Sequence, residues 1–414
     1  MKMLFTIFFT TIFSLTLIAQ EATCNCKQDL DFLVQKMREM PSYKHQIVKT
    51  NKEDHFQSTY QLYADKMTQP ISIIVCFDYL NKMMGSITDL HASVQYEGDG
   101  LTKDQLANPS TLQSFLASET FVSHPKTSAH LETLSKLLPL KQENDIEGIY
   151  MGREITVGVY QTDDPSKLEG VVLTSKLETW IPGQIIFYLT QNGNGRYDIL
   201  YFSPKSRKMY YSKGISASNG RIKYFLKEGI ESNEINFSKD KWVFEQLSDS
   251  VQYIYFGEFS NTASVKQASK DFYAKLKDLL GAEHLIIDLR NNGGGNKKHS
   301  DLFLKLFKRN KGNNYILTNS FTASNAEQFT TKLKKIPNTI HLGETTKGVL
   351  AYGKNYGYRY DTPSGLFSVQ PTDMDFHKAY FQYEGKGISP DLPLNYDVDW
   401  ILQTLEIIET QSKL

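Results

Sequence analysis

From residue 250 onward the chain alternates short apolar runs with amphipathic stretches: VQYIYFGEF, ASKDFYAKLKDLL, HLIIDL, HSDLFLKLFK, NYILTN, NAEQFTTKLKKI, TIHLGE. Apolar runs rich in Val, Ile and Tyr read as strands, and apolar residues at three- and four-residue spacing read as helices. Strand–helix–strand repetition of this kind demands a parallel α/β sheet with right-handed crossovers. Ligands of such sheets bind beyond the carboxyl ends of the strands. Two unusual segments fall there, LIIDLRNNGGGN at 285–296 and TNSFTASNAE at 318–327. The topology therefore puts both on one edge.

The rest of the chain differs in character. Residues 146–248 are rich in β-branched and aromatic residues, with hairpin signals at Asn192-Gly193-Asn194-Gly195 and Asn219-Gly220. They predict an antiparallel β domain, barrel or sandwich. Residues 21–145 predict a helical domain, and 249–414 the α/β core. The first 20 residues carry Lys2, the apolar stretch Leu4 to Ile18, and Ala19-Gln20. That is the pattern of a secretory signal peptide, and it predicts export to a periplasmic or extracellular space. No later stretch could span a membrane, so no stable membrane association is expected.

Formal net charge is zero with 22% charged residues, which argues against nucleic acid as the main partner. The three cysteines, Cys24, Cys26 and Cys76, leave one thiol over. In an exported chain Cys76 can pair with Cys24 or Cys26. Cys-x-Cys with one distant Cys and no clustered His is a weak metal signal, so no metal or cofactor is expected.

The glycine run follows a strand and precedes a helix, but it lacks both the G-x-G-x-x-G spacing and a Gly-Lys-Ser/Thr. That disfavours a phosphate cradle and leaves a tight turn or an oxyanion site. Ser324 sits at a strand-to-helix turn. A serine there is commonly an N-cap, but the free N–H groups of a helix start also stabilise negative charge on a reacting oxygen.

Taken together, LIIDLRNNGGG, ILTNSFTASNAEQF, LGETTKG and YEGKGISPDLPL resemble the tail-specific (C-terminal processing) peptidase and tricorn-core family of serine peptidases. They occur in the family's order over about 140 residues at the C-terminal end. The resemblance implies a ClpP/crotonase-like core, a peptide or unfolded-protein substrate and a Ser324 nucleophile. It also implies an oxyanion hole of the Asn325 and Gly293 or Gly294 amides. In the processing peptidases a Lys follows the Gly-Glu segment. Here Val349 takes that position, with Lys347 two residues earlier as an alternative base. The tricorn-like, retinoid-binding-protein-like branch instead takes a His from an Asp-x-His motif, which lands on Asp89 and His91 in ITDLHASVQY. That branch also implies Glu384 as a partner for the His. The Ser that precedes its His is Leu90 here, which breaks the usual relay.

The middle block has no clear carboxylate-binding Gly-rich loop, so tail specificity is not carried over. Three functions compete: an exported serine endopeptidase, a catalytically silent relative that binds peptides or apolar ligands, and a crotonase-type acyl enzyme. The last would need a coenzyme A pocket, for which no sequence feature speaks.

Overall fold

A computed structural model of the protein describes residues 22–193, 195–217 and 219–411. The signal peptide expected at 1–20 lies outside them. Among the described residues, no helix is long and apolar enough to cross a membrane.

The N-terminal block is built on helices α1 (Lys27–Glu39), α2 (Glu53–Asp65) and α3 (Ile73–Met84). Leu30, Leu33 and Met37 of α1 and Phe77, Leu80 and Met84 of α3 recur at helical spacing, and all are buried. A Cys26–Cys76 disulfide ties the start of α1 to α3, and Cys24 is a buried free thiol beside it. After α3 the chain turns through residues 85–92 into strand β1 (Ser93–Tyr96).

Residues 148–227 form one eight-stranded antiparallel sheet. Its edge strands are Met209–Ile215 and Arg221–Ile222, which are consecutive in sequence. Laid flat, eight strands would separate these edges by about 34 Å at roughly 4.8 Å per strand. The chain between them reaches about 21 Å at most, at ~3.5 Å per residue. The sheet must therefore curl. Lys223 closes the curl by donating to Ser212 Oγ at 2.7 Å. Of the two architectures expected, a partly open barrel is the one formed.

The core sheet runs β2 (Trp242–Gln246), β3 (Val251–Phe256), β4 (His284–Asp288), β5 (Asn313–Thr318), β6 (Thr339–Gly343), then a two-residue edge at Leu392–Pro393. All pairs are parallel except β2 with β3. The segment that forms β2 was expected at the end of the β domain, but it joins the core as an antiparallel edge. Every residue of β3 and β4 is buried, as in a sheet covered on both faces. Helices α4 (Ala263–Leu279), α5 (Lys297–Phe307) and α6 (Asn325–Leu333) cover the face carrying Phe256, Ile287 and Ile316. Trp400 and Ile408, from helix α7 (Trp400–Gln411), cover the face of Ile286, Tyr315 and Leu317.

The N-terminal block does not stand apart. Strand β1 pairs antiparallel with β7 (Phe367–Gln370) of the core, in register Phe367↔Tyr96 through Gln370↔Ser93. Phe77 stacks on Phe367 with ring centroids 5.7 Å apart. One continuous apolar cluster runs through the helices, the curled sheet and β7.

Candidate active site

Ser324 sits between β5 and α6 with φ +56° and ψ −121°. A non-glycine residue there costs about 1–3 kcal/mol and persists only where the surroundings over-determine it. They do so here. Ala323 N–H donates to the Asn292 carbonyl at 2.9 Å, Thr322 Oγ1 to the Leu289 carbonyl at 2.9 Å, and Ser324 N–H to Glu327 Oε2 at 2.9 Å. The strained turn leaves Ser324 half-buried at the edge of the sheet.

The glycine loop lies against this turn. A Cβ on Gly294 would stand 2.6 Å from both the Asn325 nitrogen and the Ala323 oxygen, and its φ is +84°. Only glycine fits. Its N–H, however, donates to Asn292 Oδ1 at 2.9 Å, so Gly294 supplies shape rather than a free donor. That corrects the expectation for Gly294. Gly293 is exposed, and neither its N–H nor that of Asn325 has a hydrogen-bond acceptor among the described residues. These two amides are the free pair. The side chains behind them are locked: Asn292 Nδ2 donates to the Phe256 carbonyl and Asn319 Nδ2 to Asn291 Oδ1. Asp288 and Arg290 form a buried ion pair at 2.7 Å that anchors the loop's base.

His91 Nε2 lies 3.2 Å from Ser324 Oγ, although the two are 233 positions apart. Asp89 holds the turn that carries His91: its Oδ1 accepts from the His91 and Ala92 amides, and its Oδ2 from Thr372 Oγ1 at 2.6 Å. Lys213 Nζ, from the curled sheet, donates to the Asp89 carbonyl at 2.8 Å. Burial pushes the imidazole down to about 4, opposed by Asp89 and helped by Lys354, Lys347 and Lys213. His91 is therefore neutral at physiological pH, as a proton acceptor must be.

Glu384 is buried and contacts backbone rather than the imidazole. Oε1 accepts from Leu90 N–H at 3.0 Å, and Oε2 from Leu350 and Ala351 N–H at 2.9 and 2.7 Å. It thus pins the residue before His91 to the 346–351 loop, while His91 Nδ1 is buried without a hydrogen-bond partner among the described residues. Burial raises the Glu384 carboxyl to about 7. Lys347 makes no hydrogen bond to Ser324; its N–H donates to the Thr322 carbonyl at 2.9 Å. Val349 is buried and gives its N–H to Glu327 Oε2 at 2.8 Å.

Other residues prove central without having stood out as site residues. Glu327 is fully buried and accepts from Ser324, Gly348 and Val349 amides and from Thr346 Oγ1. One carboxylate thus fixes the Ser324 turn and the opposing loop together. Its place in Ser-x-x-Glu was a visible signal. Arg196 of the curled sheet donates to the Thr346 and Lys347 carbonyls, both at 2.7 Å. Neither Arg196 nor Lys213 carries a local sequence signature. The Cys24, Cys26 and Cys76 sulfurs are the one group among the described residues spaced to hold a metal, and two of them form the disulfide.

Residues 250–315 and 307–394 match the model of Peptidase family S41. No curated protein matches the chain. Among solved structures, it is similar to the photosystem II D1 C-terminal processing protease at 14% identity, over 91% of this chain and 94% of that one, with a TM-score of 0.37. It is similar to mature CPAF complexed with lactacystin at 12% identity, over 94% and 98%, with a TM-score of 0.45. A putative peptidase from Parabacteroides merdae matches at 14% identity, over 92% and 96%, with a TM-score of 0.40. The glycine loop, the Ser324 turn and the Glu384 segment all lie inside the residues that match Peptidase family S41.

Proposed function

We propose that the chain is an exported serine endopeptidase in which Ser324 is the nucleophile and His91 the general base. The observation that carries this reading is the 3.2 Å contact between His91 Nε2 and Ser324 Oγ, next to two unengaged amides. His91 takes the Ser324 proton as Oγ attacks a peptide carbonyl. The Asn325 and Gly293 amides receive the oxyanion, each such donor being worth roughly 3 kcal/mol in a water-poor site. His91 then protonates the leaving amine, and water releases the acyl group by the same route. Glu384 and Asp89 act through the backbone, holding His91 at its bonding distance. Export is supported by the N-terminal leader pattern and by the Cys26–Cys76 disulfide, a bond that persists in oxidising compartments.

Three predictions test the chemistry. Ser324→Ala and His91→Ala should each lower kcat on a peptide substrate by about four orders of magnitude or more while circular dichroism stays native. Full activity in Ser324→Ala would refute the nucleophile. Gly294→Ala, which forces a Cβ against the Asn325 amide, should cost about 100-fold in kcat/KM; a change under threefold would show that the glycine loop does not shape the oxyanion site.

The pH dependence follows from His91. Only the neutral ring accepts a proton, so kcat/KM should rise with pH through a midpoint at about 4 and be flat at neutrality. A midpoint near the ordinary 6.5 would contradict this. The same lowered value works against stability in acid. The unfolded ring binds its proton below about 6.5 and the folded ring only below about 4, so stability falls as pH drops through that window.

A further inference from the structure

A cavity of about 380 Å³ lies where three parts of the chain meet: the start of helix α3, the stretch 96–125, and the hairpin between strands Tyr197–Phe202 and Met209–Ile215 of the curled sheet. Its size is that of a small-molecule site. The walls are mostly apolar, with Ile73, Ile74, Leu101, Phe115, Phe202 and Met209 all lining it. None of the residues placed at the Ser324 site does so.

One charged side chain is built into these walls. Arg207 lies in the turn of the hairpin with φ +59°, and its backbone N–H donates to the Ser203 carbonyl at 2.9 Å. A turn by itself favours Gly or Asn in that left-handed conformation. What the arginine adds is its guanidinium, which is held rigidly. The group stacks on the buried Trp180, 3.8 Å from the ring centroid, with the Phe121 ring at 5.5 Å. Nη1 donates to the Thr179 carbonyl at 2.6 Å and to Gln184 Oε1 at 2.9 Å.

The opposite edge of the guanidinium is unused. Among the described residues, Nη2 is buried without an acceptor, nothing accepts from Nε, and no carboxylate pairs with the group. Burial alone pushes the guanidinium down to about 9, so at neutral pH it is still a cation. A cation withdrawn from water without a counter-charge is costly. Nε and Nη2 carry parallel N–H bonds, the fork that a carboxylate accepts with both oxygens.

Charge and shape define the occupant. Arg207 is the only Lys or Arg that lines the cavity. His124, also in the wall, donates from Nε2 to the Ile185 carbonyl at 2.8 Å. Burial, with Arg207 beside it, pushes its ring down to about 3, so it adds no charge. Asp99 and Glu119 line the cavity too, and both are exposed. One cation therefore meets one negative charge. A dianion such as phosphate would have its second charge unmatched and set against those two acids.

We propose that this cavity binds a small organic monocarboxylic acid with an aromatic or branched apolar body. The carboxylate takes the Nε–Nη2 edge of Arg207, and the body packs against Phe115, Phe202 and Met209. The site is separate from the peptidase reading and stands or falls without it.

The test titrates phenylpropionate, its amide phenylpropionamide, and acetate into the full chain by calorimetry, with Trp180 fluorescence as a second readout. The acid should bind at least about tenfold more tightly than the amide, since the amide offers no charge to the fork. Acetate, which lacks the apolar body, should not bind at the same concentrations. Arg207→Met should cancel the advantage of the acid over the amide. Leu101→Trp, which fills the cavity and leaves Arg207 in place, should abolish binding of both aromatic probes, and it carries the test alone if Arg207→Met does not fold. Equal binding of acid and amide by the wild-type chain, an acid advantage that survives in folded Arg207→Met, binding that survives Leu101→Trp, or no binding of the acid at millimolar concentration overturns the proposal.

Discussion

A four-residue antiparallel pairing, β1 against β7, is what makes one site out of two distant parts of the chain. Ser324 belongs to the α/β core, and His91 to a turn that leaves a helical block. Together with the Glu384–Leu90 and Thr372–Asp89 hydrogen bonds, that pairing brings an imidazole within hydrogen-bond reach of the serine. The pairing is buried: Val94, Phe367 and Val369 are all closed off from solvent, and Phe77 stacks on Phe367. The apolar cluster around it also includes the disulfide cysteines and the inner face of the curled sheet. Loss of packing in this cluster would therefore be felt as loss of the His91–Ser324 contact before loss of the core sheet.

Within that frame, two buried carboxylates do most of the positioning, and each does it through backbone amides. Glu327 joins the Ser324 turn to the 346–349 loop, and Glu384 joins the 350–351 end of that loop to Leu90. A buried carboxylate is costly unless its oxygens are satisfied, and here each accepts at least three hydrogen bonds. The curled sheet supplies the opposite charge. Lys213 and Arg196 reach across from it to the Asp89 turn and the 346–347 loop. The middle domain thus helps hold the backbone around the candidate site.

The parallel core was legible in sequence because its strands are buried on both faces and so appear as unbroken apolar runs. Ser324 and the glycine run were legible because their residue types are constrained by strain and close approach. The division of labour between Gly293 and Gly294 was not, since it depends on the side chain of Asn292 capturing one of the two amides. Glu384 was visible as a position, but its contacts with Leu90, Leu350 and Ala351 are set by tertiary packing. Lys213 and Arg196 lie on or beside antiparallel strands among many similar residues. What selects them is the curl of the sheet, which no local pattern encodes. The edge strand β2 was hidden for a related reason: WVFEQ reads as β in either domain, and pairing with β3 decides its home.

The proposed mechanism stands on activation of Ser324 by His91. An active-site serine phosphonate probe followed by intact-mass spectrometry and peptide mapping tests it most directly. One adduct per chain is expected, on Ser324, forming at a rate that collapses in His91→Gln. No adduct, an adduct elsewhere, or an unchanged rate in His91→Gln would contradict it.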